Sequence, residues 1–265
     1  SLLIFSCSVT IYCLNKDSFY KIIIEVQISI FERLMKNKKI ILKDIGRTSF
    51  SDAWEFQEDV FQKIIDQKVQ NRALEKKIET NNYLIFTEHN PVYTIGKSGD
   101  MSNLLLSANQ LKDKEIEFFK INRGGDITFH GPGQIMGYPI LDLDNFFTDI
   151  NIYLRSLENT IIDTLRLYDI SGFTIKGETG VWVNKDEKLK KICAFGIRAS
   201  RWVTMHGFSL NVNTDLDKFN YIIPCGITDK GVTSISEIKN EIIDIDKLKE
   251  RIIESFAKNF KAEII

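Results

Sequence analysis

Apolar and polar positions change period along the chain. Residues 83–88 (YLIFTE) form a continuous apolar run and read as a buried strand that ends at His89-Asn90-Pro91. Residues 116–121 (IEFFKI), 138–143 (YPILDL), 181–183, 192–197 and 208–212 read as further strands. Trp54, Phe61, Ile64 and Ile65 recur at helical spacing, so a helix is expected from an N-cap at Ser51 to about Arg72. The strongest helix signal spans 149–168. There Ile150, Tyr153, Leu154, Leu157, Ile161, Leu165 and Tyr168 form one apolar stripe, with Ser171-Gly172 as its end. Ile245, Leu248, Ile252 and Phe256 mark a C-terminal amphipathic helix with Asp244 and Asp246 near its start. Strands and helices mix without strict βαβ alternation, which favours an α+β fold.

Residues 1–34 do not match this pattern. They hold two short apolar runs, 2–14 and 22–31, with no Lys or Arg before the first and no clear small-residue cleavage site after it. Met35 is the expected natural start. Residues 1–34 are then an N-terminal extension, and 35–265 a single catalytic domain. The alternative is an added strand or helix packed on the core.

The chain's 265 residues are 43% hydrophobic and 27% charged, which excludes disorder, and the net charge of −1 argues against a general nucleic-acid binder. No apolar run reaches the roughly 18 residues of a membrane span. Cys7, Cys13, Cys193 and Cys225 are too few for a disulfide scaffold, which favours a reducing, cytoplasmic setting.

Chemistry concentrates in two segments. Residues 123–134 (RGGDITFHGPGQ) hold four glycines and a proline between two strands, and are expected to abandon regular structure there. Bare backbone can approach a ligand closely, and Arg123, Thr128 and His130 add donors beside it. The glycine spacing fits neither a Walker A loop nor a dinucleotide fingerprint. Cys225 sits between Pro224 and Gly226, a bend that presents a thiol for attack. Cys193, inside an apolar strand, reads as a small core residue. A nucleophilic cysteine needs a neighbour that favours thiolate, and His89, His130, His206 or a lysine are open choices. A zinc set of His130, His206 and Cys225 lacks any short ligand spacing.

Ordered blocks then carry a resemblance: GRTSFSDAWEFQ (46–57), EHNPVYTIGK (88–97), RGGDITFHGPGQIMGYPILDL (123–143), GVWV (180–183), KICAFGIRASRWVTMHGFSLNVN (191–213), FNYIIPCGI (219–227) and GVTSISE (231–237). Together they resemble the lipoyl (octanoyl) transferase family from about Lys43 to the C-terminus. The resemblance implies a mixed sheet with flanking helices, similar to the biotin and lipoate protein ligases. It implies transfer of an octanoyl group from acyl carrier protein to one lysine of the lipoyl domains of 2-oxoacid dehydrogenases or of the glycine cleavage H protein, with no cofactor and no metal. It implies Cys225 as nucleophile and Lys191 as its acid/base. The acyl pocket falls to Arg123, Gly124, Gly125, Asp126, Ile127, Thr128, Phe129, His130, Ala194, Phe195, Gly196, Gly207, Phe208 and Ser209. Two small departures are Phe129, where tyrosine is common, and Cys193, where a small residue is usual. In a regular strand Cys193 shares a face with Lys191.

Three rivals remain. An ATP-dependent lipoate–protein ligase on the same fold needs no cysteine, a non-catalytic binding module needs neither Cys225 nor Lys191, and a cysteine hydrolase makes no amide. Residues 176–201 hold five Lys and two Arg against three acidic residues, a local net of +4. This segment is expected to steer acidic carrier and lipoyl domains, with Lys185 and Lys188 as the test positions.

Overall fold

The computed structural model describes residues 36–75, 77–223 and 231–265. The expectations for 1–34, Met35 and Cys225 lie outside the described residues. In chain order the elements are β1 (Lys39–Thr48), α1 (Phe50–Gln70), β2 (Tyr83–His89), β3 (Val92–Ile95), α2 (Ala108–Asp113), β4 (Glu117–Lys120), β5 (Ile127–His130) and β6 (Gln134–Ile140). There follow α3 (Ile150–Arg166), β7 (Phe173–Ile175), β8 (Glu178–Lys185), β9 (Lys188–Ser200), β10 (Val203–Asn211), β11 (Gly231–Val232), α4 (Ile235–Lys239), α5 (Ile245–Phe260) and β12 (Glu263–Ile264).

Among the described residues nine strands make one sheet in the order β12-β1-β2-β6-β10-β9-β8-β7, with β11 alongside β9. β1 runs parallel to β2 and β12, and β11 parallel to β9, while the remaining pairs are antiparallel. A second, three-stranded sheet has the order β4-β3-β5. Alternation along the central strands sends side chains to opposite faces. Leu84, Phe86, Ile135, Phe208 and Leu210 pack with α3 and α5, whereas Ile85, Met136, Tyr138, Val203 and Met205 pack under α1. The large sheet therefore lies between helices on both faces, an α+β architecture as expected.

Four local expectations shift. Ser49, not Ser51, caps α1, because its hydroxyl accepts the Asp52 amide at 3.1 Å. α3 keeps its Asp149 cap but stops before Ser171-Gly172. Asp169 already takes a positive φ of 57°, and Ile170 N–H donates back to the Leu165 carbonyl at 3.0 Å. The third strand starts earlier, at Gln134, and ends at Ile140. The glycine-rich stretch is not wholly irregular either: β5 occupies its middle and pairs antiparallel with β3. Its glycines make the turns on either side of that strand, with φ of 87° at Gly125 and 76° at Gly133.

Three buried histidines line up across these layers. His89 Nδ1–H donates to the Thr48 carbonyl at 3.2 Å, and its Nε2 accepts the Tyr138 hydroxyl at 2.6 Å. His130 Nδ1–H donates to Gln134 Oε1 at 2.8 Å, and His206 Nε2–H to Asn122 Oδ1 at 2.9 Å. Burial is the largest cause of lowered pKa values in all three, to about 4 at His89 and about 3 at His130 and His206.

Two predictions follow from this packing. Leu157 is fully buried against the sheet, so Leu157→Ala should lower unfolding free energy by about 2–5 kcal/mol in urea titration. The unfolded chain protonates its histidines near pH 6.5, whereas the folded chain resists until about pH 4 or below. Their contribution is fully present above pH 6.5 and is lost as pH falls toward 4, at up to about 1.4 kcal/mol per pH unit for each. Urea midpoints measured from pH 7 to 4.5 should fall, and His89→Asn should flatten that slope.

Candidate active site

A cavity of about 380 Å³ opens between the glycine-rich segment and the face of β9 and β10. One wall is Ile121, Arg123 to Thr128 and His130, and the other is Lys191 to Ile197 of β9 with His206 to Ser209 of β10. Leu154 of α3, Gly177 and Glu178, Thr179 and Trp182 of β8 also line the cavity. Lys191 and Ile197 stand six residues apart on one strand, so the wall runs for about 20 Å.

Arg123 holds the two walls together. It is only 7% exposed, and its Nη2 donates to the Thr94 carbonyl at 2.7 Å and to Thr94 Oγ1 at 3.0 Å. Nη1 donates to the Gly124 carbonyl at 2.9 Å, and Gly124 N–H donates across to the Ile197 carbonyl at 2.9 Å. A side chain at Gly196 would stand 2.6 Å from Arg123 Cδ, so the arginine lies directly on bare strand. Gly207, the register partner of Gly196, leaves no space on the next strand, where a Cβ would come within 2.1 Å of the Gly137 carbonyl oxygen.

Of the fourteen residues that the resemblance assigns to the acyl pocket, thirteen line this cavity. Phe129 does not. It alternates to the other side of β5, where its ring meets Tyr93 and Phe219. Asp126 borders the cavity, but its carboxylate is engaged by the turn, where Oδ1 accepts the Ile127 amide at 2.6 Å and the Asp100 amide at 3.2 Å.

Lys191 lies in the cavity wall on β9, with its Nζ 4.6 Å from the centre of the Trp182 ring. The strand is not regular there. Val181 pairs with Cys193 but Trp182 pairs with Lys191, so Ile192 is an extra residue on β9. Cys193 is buried in the core and also borders the cavity. Its thiol pKa is raised well above the ordinary value, first by burial and then by the Glu158 carboxylate, with Lys191 pulling the other way. Burial at Cys193 therefore disfavours the thiolate, the nucleophilic form of the thiol. Of the candidate histidines, His89 stands outside the cavity lining, while His130 and His206 belong to it.

Sequence reasoning gave no pocket role to several lining residues: Leu154, Trp182, Asn211 and, at the end of the glycine-rich segment, Gln134. Leu154 belonged to a helical stripe indistinguishable from core, and Trp182 to a short apolar strand. The basic segment is also less free than its composition suggests. Lys185 and Lys190 reach Glu237 at 2.9 and 3.6 Å, and Arg198 reaches Glu58 at 2.8 Å. Lys176 and Lys188 remain exposed, so Lys176 replaces Lys185 as the informative position.

No helix among the described residues is long and apolar enough to cross a membrane. The model of the lipoyl protein ligase A/B catalytic domain matches residues 51–257. An octanoyltransferase of Flavobacterium johnsoniae is 56% identical over 231 residues, covering 86% of this chain and 100% of its own. One from Christiangramia forsetii is 51% identical over 230 residues, covering 86% and 98%. In fold, the chain is similar to a putative lipoate protein ligase from T. acidophilum (TM-score 0.62, 16% identity, 86% of this chain and 88% of that one). A lipoate-protein ligase A bound with ATP gives a TM-score of 0.60 at 16% identity, over 87% and 88% of the two chains. Matched across its catalytic region by the family model and along most of its length by these relatives, the chain belongs to the lipoyl protein ligase A/B catalytic-domain family.

Proposed function

We propose that this chain is an octanoyltransferase of protein lipoylation, with 35–265 as its catalytic domain and the cytoplasm as its setting. It takes an octanoyl group from octanoyl–acyl carrier protein and joins it to one lysine of a lipoyl domain, in a 2-oxoacid dehydrogenase or the glycine cleavage H protein. The observation that carries the reading is Lys191, an amine-bearing side chain in the wall of a long, largely apolar cavity. The chain re-enters at Gly231 beside Lys190, six residues after Cys225.

In this reading Cys225 and Lys191 begin as thiolate and ammonium. The sulfur attacks the donor thioester carbonyl, the carbon–sulfur bond to phosphopantetheine breaks, and the departing thiolate takes the Lys191 proton. An octanoyl-Cys225 thioester and a neutral Lys191 remain. The acceptor lysine, arriving neutral, attacks that thioester. Cys225 leaves as thiolate, and the surplus proton on the new amide nitrogen passes to Lys191, which restores the starting pair. Exchange between thioesters is nearly thermoneutral and the amide is more stable, so no nucleotide is consumed. The thirteen cavity-lining residues hold the acyl chain, with Arg123 bracing the wall.

Intact-protein mass spectrometry after incubation with octanoyl–acyl carrier protein tests the covalent step. Wild-type enzyme should gain one octanoyl group, Cys225→Ala none, and Lys191→Ala should turn over at least about a hundredfold more slowly. Turnover with octanoate and ATP, but not with the carrier thioester, would establish the ligase reading instead. Lys176 and Lys188 should contribute to steering of the acidic carrier. Reversing both to Glu should raise the donor KM several-fold at low salt and leave kcat unchanged. An unaltered KM and salt dependence would remove that role.

A further inference from the structure

The GVWV block (180–183) carries a tryptophan to which the proposed chemistry gives no task. Trp182 is 1% exposed, faces the cavity and is the cross-strand partner of Lys191. The extra residue at Ile192 offsets β9 beside this pair, and bulges commonly re-aim a side chain near reacting groups. The result is an ammonium 4.6 Å from the indole centre, within the range of a cation–π contact, and Trp is the strongest ring for it. Behind the lysine stem stands Gly180, where an added Cβ would lie 3.0 Å from Lys191 Cε and 3.3 Å from Cδ. The stem therefore lies across bare backbone, and its tip over the ring.

No carboxylate among the described residues forms an ion pair with Lys191. Glu158, which faces the neighbouring Cys193, is bound by Arg155 at 2.9 Å and by the Gly180 amide at 3.2 Å. The distinction matters chemically. A buried carboxylate would hold the amine as a fixed cation, because breaking such a pair leaves an uncompensated charge. A ring face attracts the ammonium more weakly and accepts no proton. The amine can then lose and regain its proton without losing its place.

We propose that Trp182 is a positioning residue that steadies the Lys191 amine over its indole face, so that the amine can cycle between its charged and neutral forms at one location. This rests on Lys191 as the acid/base of the proposed reaction. It adds the device that aims it.

A double-mutant cycle tests the proposal on the full-length enzyme, with octanoyl–acyl carrier protein as donor and an isolated lipoyl domain as acceptor. Trp182→Leu should lower kcat about tenfold with both KM values within about twofold, and Trp182→Phe should recover most of that loss. In a Lys191→Ala background, Trp182→Leu should cost nothing further. Equal losses in both backgrounds, or a fully active Trp182→Leu, would overturn the proposal. A fully active Lys191→Ala would instead overturn the acid/base reading, so the two failures are distinguishable. A second measurement requires no stable Trp182 variant. In the NMR spectrum of the wild-type protein, the Lys191 Cε protons, assigned by their loss in Lys191→Arg, should be shifted upfield from other lysines by the indole ring current. An unshifted resonance would refute the stacked geometry.

Discussion

A buried guanidinium is the constraint on which the cavity depends. Arginine cannot shed its charge and offers only donors, so its burial demands acceptors in fixed places. Arg123 finds them in the Thr94 carbonyl and hydroxyl and in the Gly124 carbonyl. Those contacts tie the small sheet to the glycine-rich turn, and the arginine stem lies against Gly196 of the large sheet. The cavity is the space left between two sheets that this cation holds at a set distance.

The same cation sets the direction of a buried hydrogen-bond chain. Thr94 Oγ1 accepts from Arg123 and so turns its own hydrogen toward His130 Nε2, 3.2 Å away. His130 must then carry its proton on Nδ1, which donates to Gln134 Oε1. Gln134 Nε2 donates to Asn211 Oδ1 at 2.8 Å, and Asn211 Nδ2 to the Thr233 carbonyl at 3.0 Å. Thr233 N–H ends the sequence on the Lys191 carbonyl at 3.0 Å. Each group has one orientation only, so the glycine-rich wall and the backbone of the Lys191 strand are locked in one arrangement. The low pKa of His130, caused first by burial and then by the neighbouring His89, is consistent with this chain, in which Nε2 only accepts.

Much of this was legible in the residues, and the reasons differ by element. The stripe of α3 and that of α5 announced themselves because one face of each meets a sheet and the other meets water. Residues 83–88 read as a strand because both faces of β2 are covered. β1 escaped notice because Lys43, Asp44 and Arg47 interrupt its apolar positions on a partly exposed strand. β3 was hidden by length, with four buried residues between Pro91 and Gly96. The glycine-rich stretch pointed to close backbone approach, yet glycine count alone concealed the strand in its middle, which depends on pairing with β3. Phe129 was carried into the pocket by its motif, whereas strand alternation turns it away. The lining residues Leu154 and Trp182 come from elements distant in sequence, and no local spacing joins them.

The electrostatics also bear on which group can serve a cysteine as its base. Histidine is the ordinary choice because its unperturbed pKa lies near neutrality. Here each histidine is already committed. His89 uses both ring nitrogens within the fold, His130 is fixed between Thr94 and Gln134, and His206 donates from Nε2 to Asn122 from a backbone held at a φ of 60°. Burial opposes a charge on each of them, which weighs against a histidine cation as the partner of a thiolate. A lysine differs because its charge travels on a flexible stem and needs no ring orientation. Lys191 reaches the cavity from a strand whose backbone is already fixed by Thr233, and its tip lies over the Trp182 ring. The fold thus holds its histidines within the framework, which is why the proposed reaction assigns the proton traffic to an amine.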